Sequence, residues 1–173
     1  MAAGLKYGLI AAAGMSAWML GEYAFGLHTT RIDISNLTGY GVVLIFIAAL
    51  WRLLHHQLYQ TNRTWLPIWQ GLLHGMLASL VVAISFYVFL SLYLRYINPD
   101  YADLTLERLV AHMRIEGKPE GSIRAIAREF RWGLTPVGLL FYVLKLYLFI
   151  GLVASPLLTL WLNWRRKEPV HPG

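Results

Sequence analysis

Long apolar blocks separated by short polar stretches divide this chain. The first block runs from Leu5 to Leu27, with Lys6 at its start and Glu22 near its far end as the charged residues. The second runs from Leu37 to Leu54 and carries no charge before Arg52. The third, Leu66 to Ile97, has none before Arg95, and the fourth, Leu134 to Trp164, is broken only by Lys145. About 20 apolar residues in a helix cross the roughly 30 Å hydrocarbon core of a bilayer, and each block approaches or exceeds that length. The pattern therefore predicts four transmembrane helices. The third, at roughly 32 residues and 48 Å, overshoots the core and should tilt or project into the headgroups. Pro67 falls in its first turn, where a missing N–H costs nothing. Thr135-Pro136 reads as an N-cap followed by proline at the first helical position, and Pro156 should kink the fourth helix.

The connections are informative. Thr29 to Ser35, holding Arg31 and Asp33, forms the turn between the first two spans. Asn98 to Trp132 is the one sizeable polar segment. It opens with Asn98-Pro99-Asp100, read as a capping side chain, a first-turn proline and an acid near the helix N-terminus. Leu106, Leu109, Val110 and Met113 then recur with helical spacing, Gly117-Lys118-Pro119 interrupts, and Ile123, Ile126, Ala127 and Phe130 repeat the spacing. Two short amphipathic helices joined by a turn are expected. Their apolar stripes could bury each other, lie on the membrane surface, or bind a partner.

Composition agrees with the pattern. Of 173 residues, 57% are hydrophobic and 14% charged, against about a quarter charged in soluble domains. There is no cysteine, which excludes disulfides, thiolate metal sites and cysteine nucleophiles. The net charge of +6 would raise nucleic-acid binding in a soluble chain. No basic stripe interleaved with aromatics occurs, so membrane-flanking basic residues explain it better and no nucleic-acid partner is expected. The first block is too long for a signal-peptide core of roughly 7–15 residues, and Glu22-Tyr23 sits where a cleavage region should be small and neutral. It is expected to remain as a span.

Charge also suggests orientation. Lys6, the arginines of the Arg52–Arg63 connection, and Arg165, Arg166 and Lys167 all fall on one side of four crossings. The other side has Arg31 balanced by Asp33, and a polar segment in which six basic residues meet six acidic ones (Arg108, Arg114, Lys118, Arg124, Arg128, Arg131; Asp100, Asp103, Glu107, Glu116, Glu120, Glu129). The positive-inside rule then places both termini in the cytoplasm and the helical segment outside. Trp51, Trp65, Trp69, Trp161 and Trp164 mark one interface, and Tyr40, Tyr93, Tyr96, Tyr101 and Trp132 the other.

Small residues recur every four positions: Gly4, Gly8, Ala12 and Ser16; Gly71, Gly75 and Ser79; Gly151, Ser155 and Thr159. In lipid such stripes let helices approach closely, within one bundle or between two copies.

The segments KYGLIAAAGMSAWMLGEY, YINPDY and GLVASPLLTLWLNWRRK, with this order of elements, resemble a group of small bacterial four-span inner-membrane proteins known only as a domain of unknown function. The resemblance extends over nearly the whole chain. It implies topology and bacterial origin, and no activity or catalytic residue.

Candidate chemistry rests on Glu22, Lys145 and Arg95, since ionisable groups in hydrocarbon are costly and mark functional or paired positions. All three fall in the outer half, and Glu22 is expected to pair with Lys145 before Arg95, which can reach headgroups. A proton or ion path is the sharper alternative. His74 should be buried and hydrogen-bonded, and His55 and His56 solvated; a haem between them is disfavoured by their difference in depth. No metalloprotease motif, phosphate-binding loop or nucleophile elbow is present.

The sequence thus predicts one membrane domain over residues 1–173, an all-α bundle of four transmembrane helices with an extracytoplasmic amphipathic helical hairpin between helices 3 and 4. No catalytic residue, cofactor or metal is expected. The partners are the lipid bilayer and either a second copy of the chain or another membrane protein. The expected role is a non-enzymatic accessory or interaction protein of the bacterial inner membrane. The alternative is a small transporter or channel subunit using Glu22, Lys145 and Arg95.

Overall fold

A computed structural model describes residues 2–29, 38–60 and 65–167. Six α-helices and no strand occur among them: α1 (Ala2–Ala24), α2 (Tyr40–Gln60), α3 (Ile68–Leu92), α4 (Tyr101–Ile115), α5 (Glu120–Gly133) and α6 (Pro136–Lys167). Three helical stretches are long and apolar enough to cross a membrane: Tyr40–Tyr59, Ile68–Ile97 and Pro136–Arg166. The 23-residue α1, rich in alanine and glycine, is long enough but is not among these three. It packs in the same bundle, along α3 and α2.

The core is set by small residues. Gly71, Gly75 and Ser79 on α3 face Thr159, Ser155 and Gly151 on the antiparallel α6. At each level a glycine meets a hydroxyl-bearing side chain. A Cβ added at Gly75 would collide with Ser155 Oγ and come within 2.6 Å of its Cβ; one at Gly151 would collide with Ser79 Oγ and lie 3.4 Å from Gly75 O. The hydroxyls of Ser79 and Thr159 donate to Gly75 O (2.8 Å) and Ser155 O (2.7 Å) in their own helices, so burial leaves these two satisfied. On α1, Gly4 and Gly8 lie against Leu77 and Val81 of the parallel α3. The small stripes therefore pack within one chain. Around this seam, Met15, Phe46, Leu53, Val82, Phe86 and Val143 fill the interior.

A second tie lies at the opposite end from the α4–α5 pair. The buried Asn163 side chain donates to Leu66 O (2.9 Å) and accepts from Leu66 N–H (3.0 Å). One amide thus satisfies both backbone groups just ahead of α3, where an N–H has no intrahelical partner. Leu54, Leu58, Leu66 and Leu162 surround it.

Several boundaries differ from the sequence expectation. The first block was expected to reach Leu27, but α1 stops at Ala24 because Gly26, at φ 73°, turns the chain in the left-handed region. The second block was expected to end at Leu54; α2 continues to Gln60, with His55 stacked on Tyr59 at 4.1 Å and Arg166 over the Tyr59 ring. His56 likewise packs edge-on against Tyr7 of α1, so neither histidine is simply solvated. Residues 30–37 and 61–64, which hold most of the first turn and the end of the Arg52–Arg63 connection, lie outside the described residues. Pro67 occupies the N-cap position rather than the first turn. The third block ends in a π-turn, Tyr93–Ile97, after α3. Thr135 caps α6 as expected, its Oγ1 accepting from Gly138 N–H at 3.1 Å, and Pro156 sits inside that helix.

The polar segment folds as two helices that pack on each other, burying Leu106, Met113 and Ile123. Of the readings open to the two stripes, mutual burial is the one these contacts realise, although Ile126 remains 40% exposed. The break falls at Gly117, φ 70°, where Gly117 N–H and Lys118 N–H close onto Arg114 O and Met113 O. Arg114 Nε donates to Glu120 Oε1 at 3.1 Å across the turn.

Three outcomes follow. Gly75→Leu should drive α3 from α6 and lower the detergent melting temperature, a loss of about 1–3 kcal/mol or more. Gly21→Ala, where an added Cβ meets nothing, should stabilise the fold by up to about 1 kcal/mol and raise that temperature. Asn163→Ala should cost about 2–3 kcal/mol by leaving Leu66 unsatisfied, read in the same melting assay.

Candidate functional site

The end of α1 builds an unusual local geometry. Leu27 N–H bonds to Glu22 O and Gly26 N–H to Tyr23 O, both at 2.9 Å, which closes a helix C-cap of the Schellman type around Gly26. The chain is folded back on the helix end, and His28 comes to lie against the Glu22 side chain six residues earlier. Both are buried, at 2% and 6% exposure.

From there a chain of hydrogen bonds crosses the bundle. His28 Nε2 lies 3.2 Å from Glu22 Oε2, and His28 Nδ1 lies 2.6 Å from Tyr93 Oη. Asn98 Nδ2 donates to Tyr93 Oη at 3.2 Å and to His28 O at 3.5 Å. Trp18 Nε1 donates to the other Glu22 oxygen at 3.0 Å and to Thr38 O at 3.2 Å. One assignment satisfies every member. Asn98 donates to Tyr93, Tyr93 to His28 Nδ1, and His28 Nε2–H to Glu22, which also accepts from Trp18. A neutral imidazole fits this order. Burial pushes His28 below its ordinary value of 6.5, a shift that the Glu22 charge and hydrogen bond oppose but do not cancel.

Local structure explains the convergence. Positions five apart on an α-helix lie about 140° apart around the axis, so Tyr93 and Asn98 could not share a face there. The π-turn closes an i→i+5 bond, Asn98 N–H to Tyr93 O at 2.9 Å, and brings them together. Asn98 was expected to cap the next helix. Its side chain instead turns inward, and α4 begins at Tyr101 with no side-chain cap. Trp18 reaches Glu22 by lying over Gly41 of α2, where any Cβ would strike the indole.

Glu22 and His28 face a cleft of about 320 Å³ between α2 and α6. Val42 and Val43, with Val143 and Tyr147, form its sides, Phe86 and Leu90 its back, and Tyr101 of α4 covers one end. No lysine or arginine lines it among the described residues.

The expected pairing of Glu22 with Lys145 is not what the structure shows. Among the described residues Glu22 is instead hydrogen-bonded by His28 and Trp18; Lys145 is exposed and outside the cleft, and Arg95 is exposed with its guanidinium 5.5 Å from the Tyr96 ring centroid. Long cationic side chains can reach out along the bundle surface at little cost, whereas a carboxylate buried at a helix end takes the nearest donors. His28 was missed in the sequence because it falls just past the apolar block, in a stretch that reads as turn. The signal that could have found it is Gly26, two residues before it. His74 is hydrogen-bonded as expected, Nδ1 2.7 Å from Gln70 O, but half-buried rather than buried. No group of three or more potential metal ligands is found among the described residues.

An all-helical bundle with three membrane-length apolar helices is that of an α-helical membrane protein. The chain belongs to the family described as Protein of unknown function (DUF4199), which it matches over residues 6–162. Comparison with curated proteins and with solved structures gave no match.

Tyr93→Phe should cost about 1–3 kcal/mol, since it leaves the buried His28 ring and Asn98 amide each short of a partner. Because folding depresses the His28 value, the unfolded chain binds the extra proton first as pH falls through about 6.5, and stability should decline there. Melting temperatures in detergent between about pH 7.5 and 5.5 check this, and His28→Gln should flatten the decline.

Proposed function

We propose that the chain is a four-span, non-enzymatic accessory protein of the bacterial inner membrane, with both termini in the cytoplasm and the α4–α5 hairpin outside. The observation that carries this reading is the antiparallel seam of Gly71, Gly75 and Ser79 against Gly151, Ser155 and Thr159. Side chains there meet at contact distance, so no continuous path runs between α3 and α6 along this seam. What remains accessible is the hairpin and the adjoining cleft.

Support for α1 as a fourth span comes from its register. It runs parallel to α3, with Gly4 and Gly8 beside Leu77 and Val81, and thus lies alongside a membrane-length helix over its length. Support for orientation comes from charge. Arg52, Arg165 and Arg166 cluster at the end of the bundle away from the hairpin, stacked near Trp51, Trp161 and Tyr59. Bacterial origin rests on the family resemblance in the three quoted segments. The transport alternative needs Glu22, Lys145 and Arg95 on one path. Their separate environments favour the accessory role instead.

Fusions of a reporter active only outside the cytoplasm test the arrangement. Signal is expected after Gly117 and not after Gly173. The reverse pattern overturns the orientation, and equal signal at both sites overturns α6 as a crossing helix.

A further inference from the structure

The cleft beside Glu22 has a chemistry that the accessory role does not use. Its floor holds a carboxylate that is 6% exposed and receives two neutral donors, the indole of Trp18 and the imidazole of His28. Each carboxylate oxygen accepts one of these bonds, and a carboxylate offers about four lone-pair sites, so acceptor capacity is left over. No lysine or arginine lines the cavity among the described residues, so none of these supplies a fixed cation to the carboxylate. Leaving a buried carboxylate without a countercharge is expensive, and a ligand can supply what the protein does not.

The walls narrow the class further. Apart from Glu22 and His28 the lining is apolar or aromatic, with Phe86, Tyr101, Tyr142 and Tyr147 among it. Aromatic faces attract a cation within about 6 Å, and a largely apolar cavity selects a ligand with an apolar body. The mouth is marked by the exposed Gly39 of the segment leading into α2 and Tyr142 of α6. Tyr142 lies six positions past Pro136, about 9 Å along α6, near the level of a bilayer interface in the membrane arrangement proposed above. An anionic or phosphate-bearing head would meet a carboxylate and, among the described residues, no cation.

We propose that this cleft binds an amphiphilic amine, a molecule with one alkylammonium head and an apolar body, through a charge-assisted hydrogen bond from the ammonium to Glu22. His28 and Trp18 position the carboxylate, and the aromatic walls hold the body. The head can belong to a free lipophilic amine or to the ethanolamine group of a membrane lipid.

The test uses the full chain in nanodiscs of phosphatidylcholine, which has no primary amine. Phenylbutylamine is titrated against the neutral phenylbutanol, with calorimetry and melting temperature as readouts. The amine should bind about tenfold or more tightly than the alcohol and raise the melting temperature in proportion to its occupancy. Glu22→Gln should remove that preference. Because Glu22→Gln also weakens the fold, Val43→Trp, which fills the cleft from a half-buried position on α2, provides a second variant and should abolish binding while the Glu22 contacts stay in place. Adding phosphatidylethanolamine separates the two sources: competition with phenylbutylamine identifies the lipid head, and its absence identifies a free amine. Equal binding of amine and alcohol overturns the proposal, as does a preference for amine that survives Val43→Trp. Neither result touches the topology, which the reporter fusions read independently.

Discussion

The close approach of α3 and α6 is the contact on which the rest of the fold depends. In hydrocarbon no hydrophobic drive pulls two helices together, so attraction comes from packing, and packing is strongest where backbones come near. Glycine facing serine or threonine at three successive levels achieves this, and the alternation of glycine between the two helices fixes their register. A slip of one position would set a hydroxyl against a bulky side chain. With that register fixed, the ends of α3 and α6 are brought level. Asn163 can then reach Leu66 at one end, and Tyr93 can meet the turn after α1 at the other.

The second constraint is the buried carboxylate of Glu22. A charge of this kind is tolerated only if the surrounding structure supplies donors, and the donors come from three places: α1 itself, the turn after it, and, through Tyr93 and Asn98, the π-turn ending α3. Two departures from regular helix make this possible. The left-handed Gly26 returns the chain onto α1, and the wide turn at Tyr93–Ile97 brings Tyr93 and Asn98 to one face. Local irregularity of this type commonly accompanies functional sites, and here it borders the cleft.

The hairpin is built differently. Its helices bury few residues, Leu106, Met113 and Ile123, and expose charged faces carrying both signs. It is therefore held by its own turn, with Gly117 and the Arg114–Glu120 pair, and by the capped start of α6. Gly138 makes that last junction tight, since a Cβ there would strike the backbone carbonyl of Trp132.

The sequence by itself determined the helical class, the positions of the long helices to within a few residues, the break near Gly117, the Thr135 cap and the family. These are properties of local runs: apolar length, i,i+4 spacing, and residues whose backbone preferences act over one turn. It also identified Glu22 as a residue requiring a partner. Only the tertiary structure decided which partner. The sequence pointed to Lys145 before Arg95; His28 takes the place because of the direction the chain takes after Gly26 and because Lys145 lies on an exposed face of α6. Asn98 and Asn163 show the same division. Each looks like an ordinary polar residue at a helix end, and each becomes a buried tie because residues distant in sequence, 70 positions away at His28 and 97 at Leu66, arrive within hydrogen-bond reach. Spacing along a chain encodes neighbours on one helix. Neighbours across a bundle depend on register between helices, which is set by how glycine and hydroxyl side chains fit together in space.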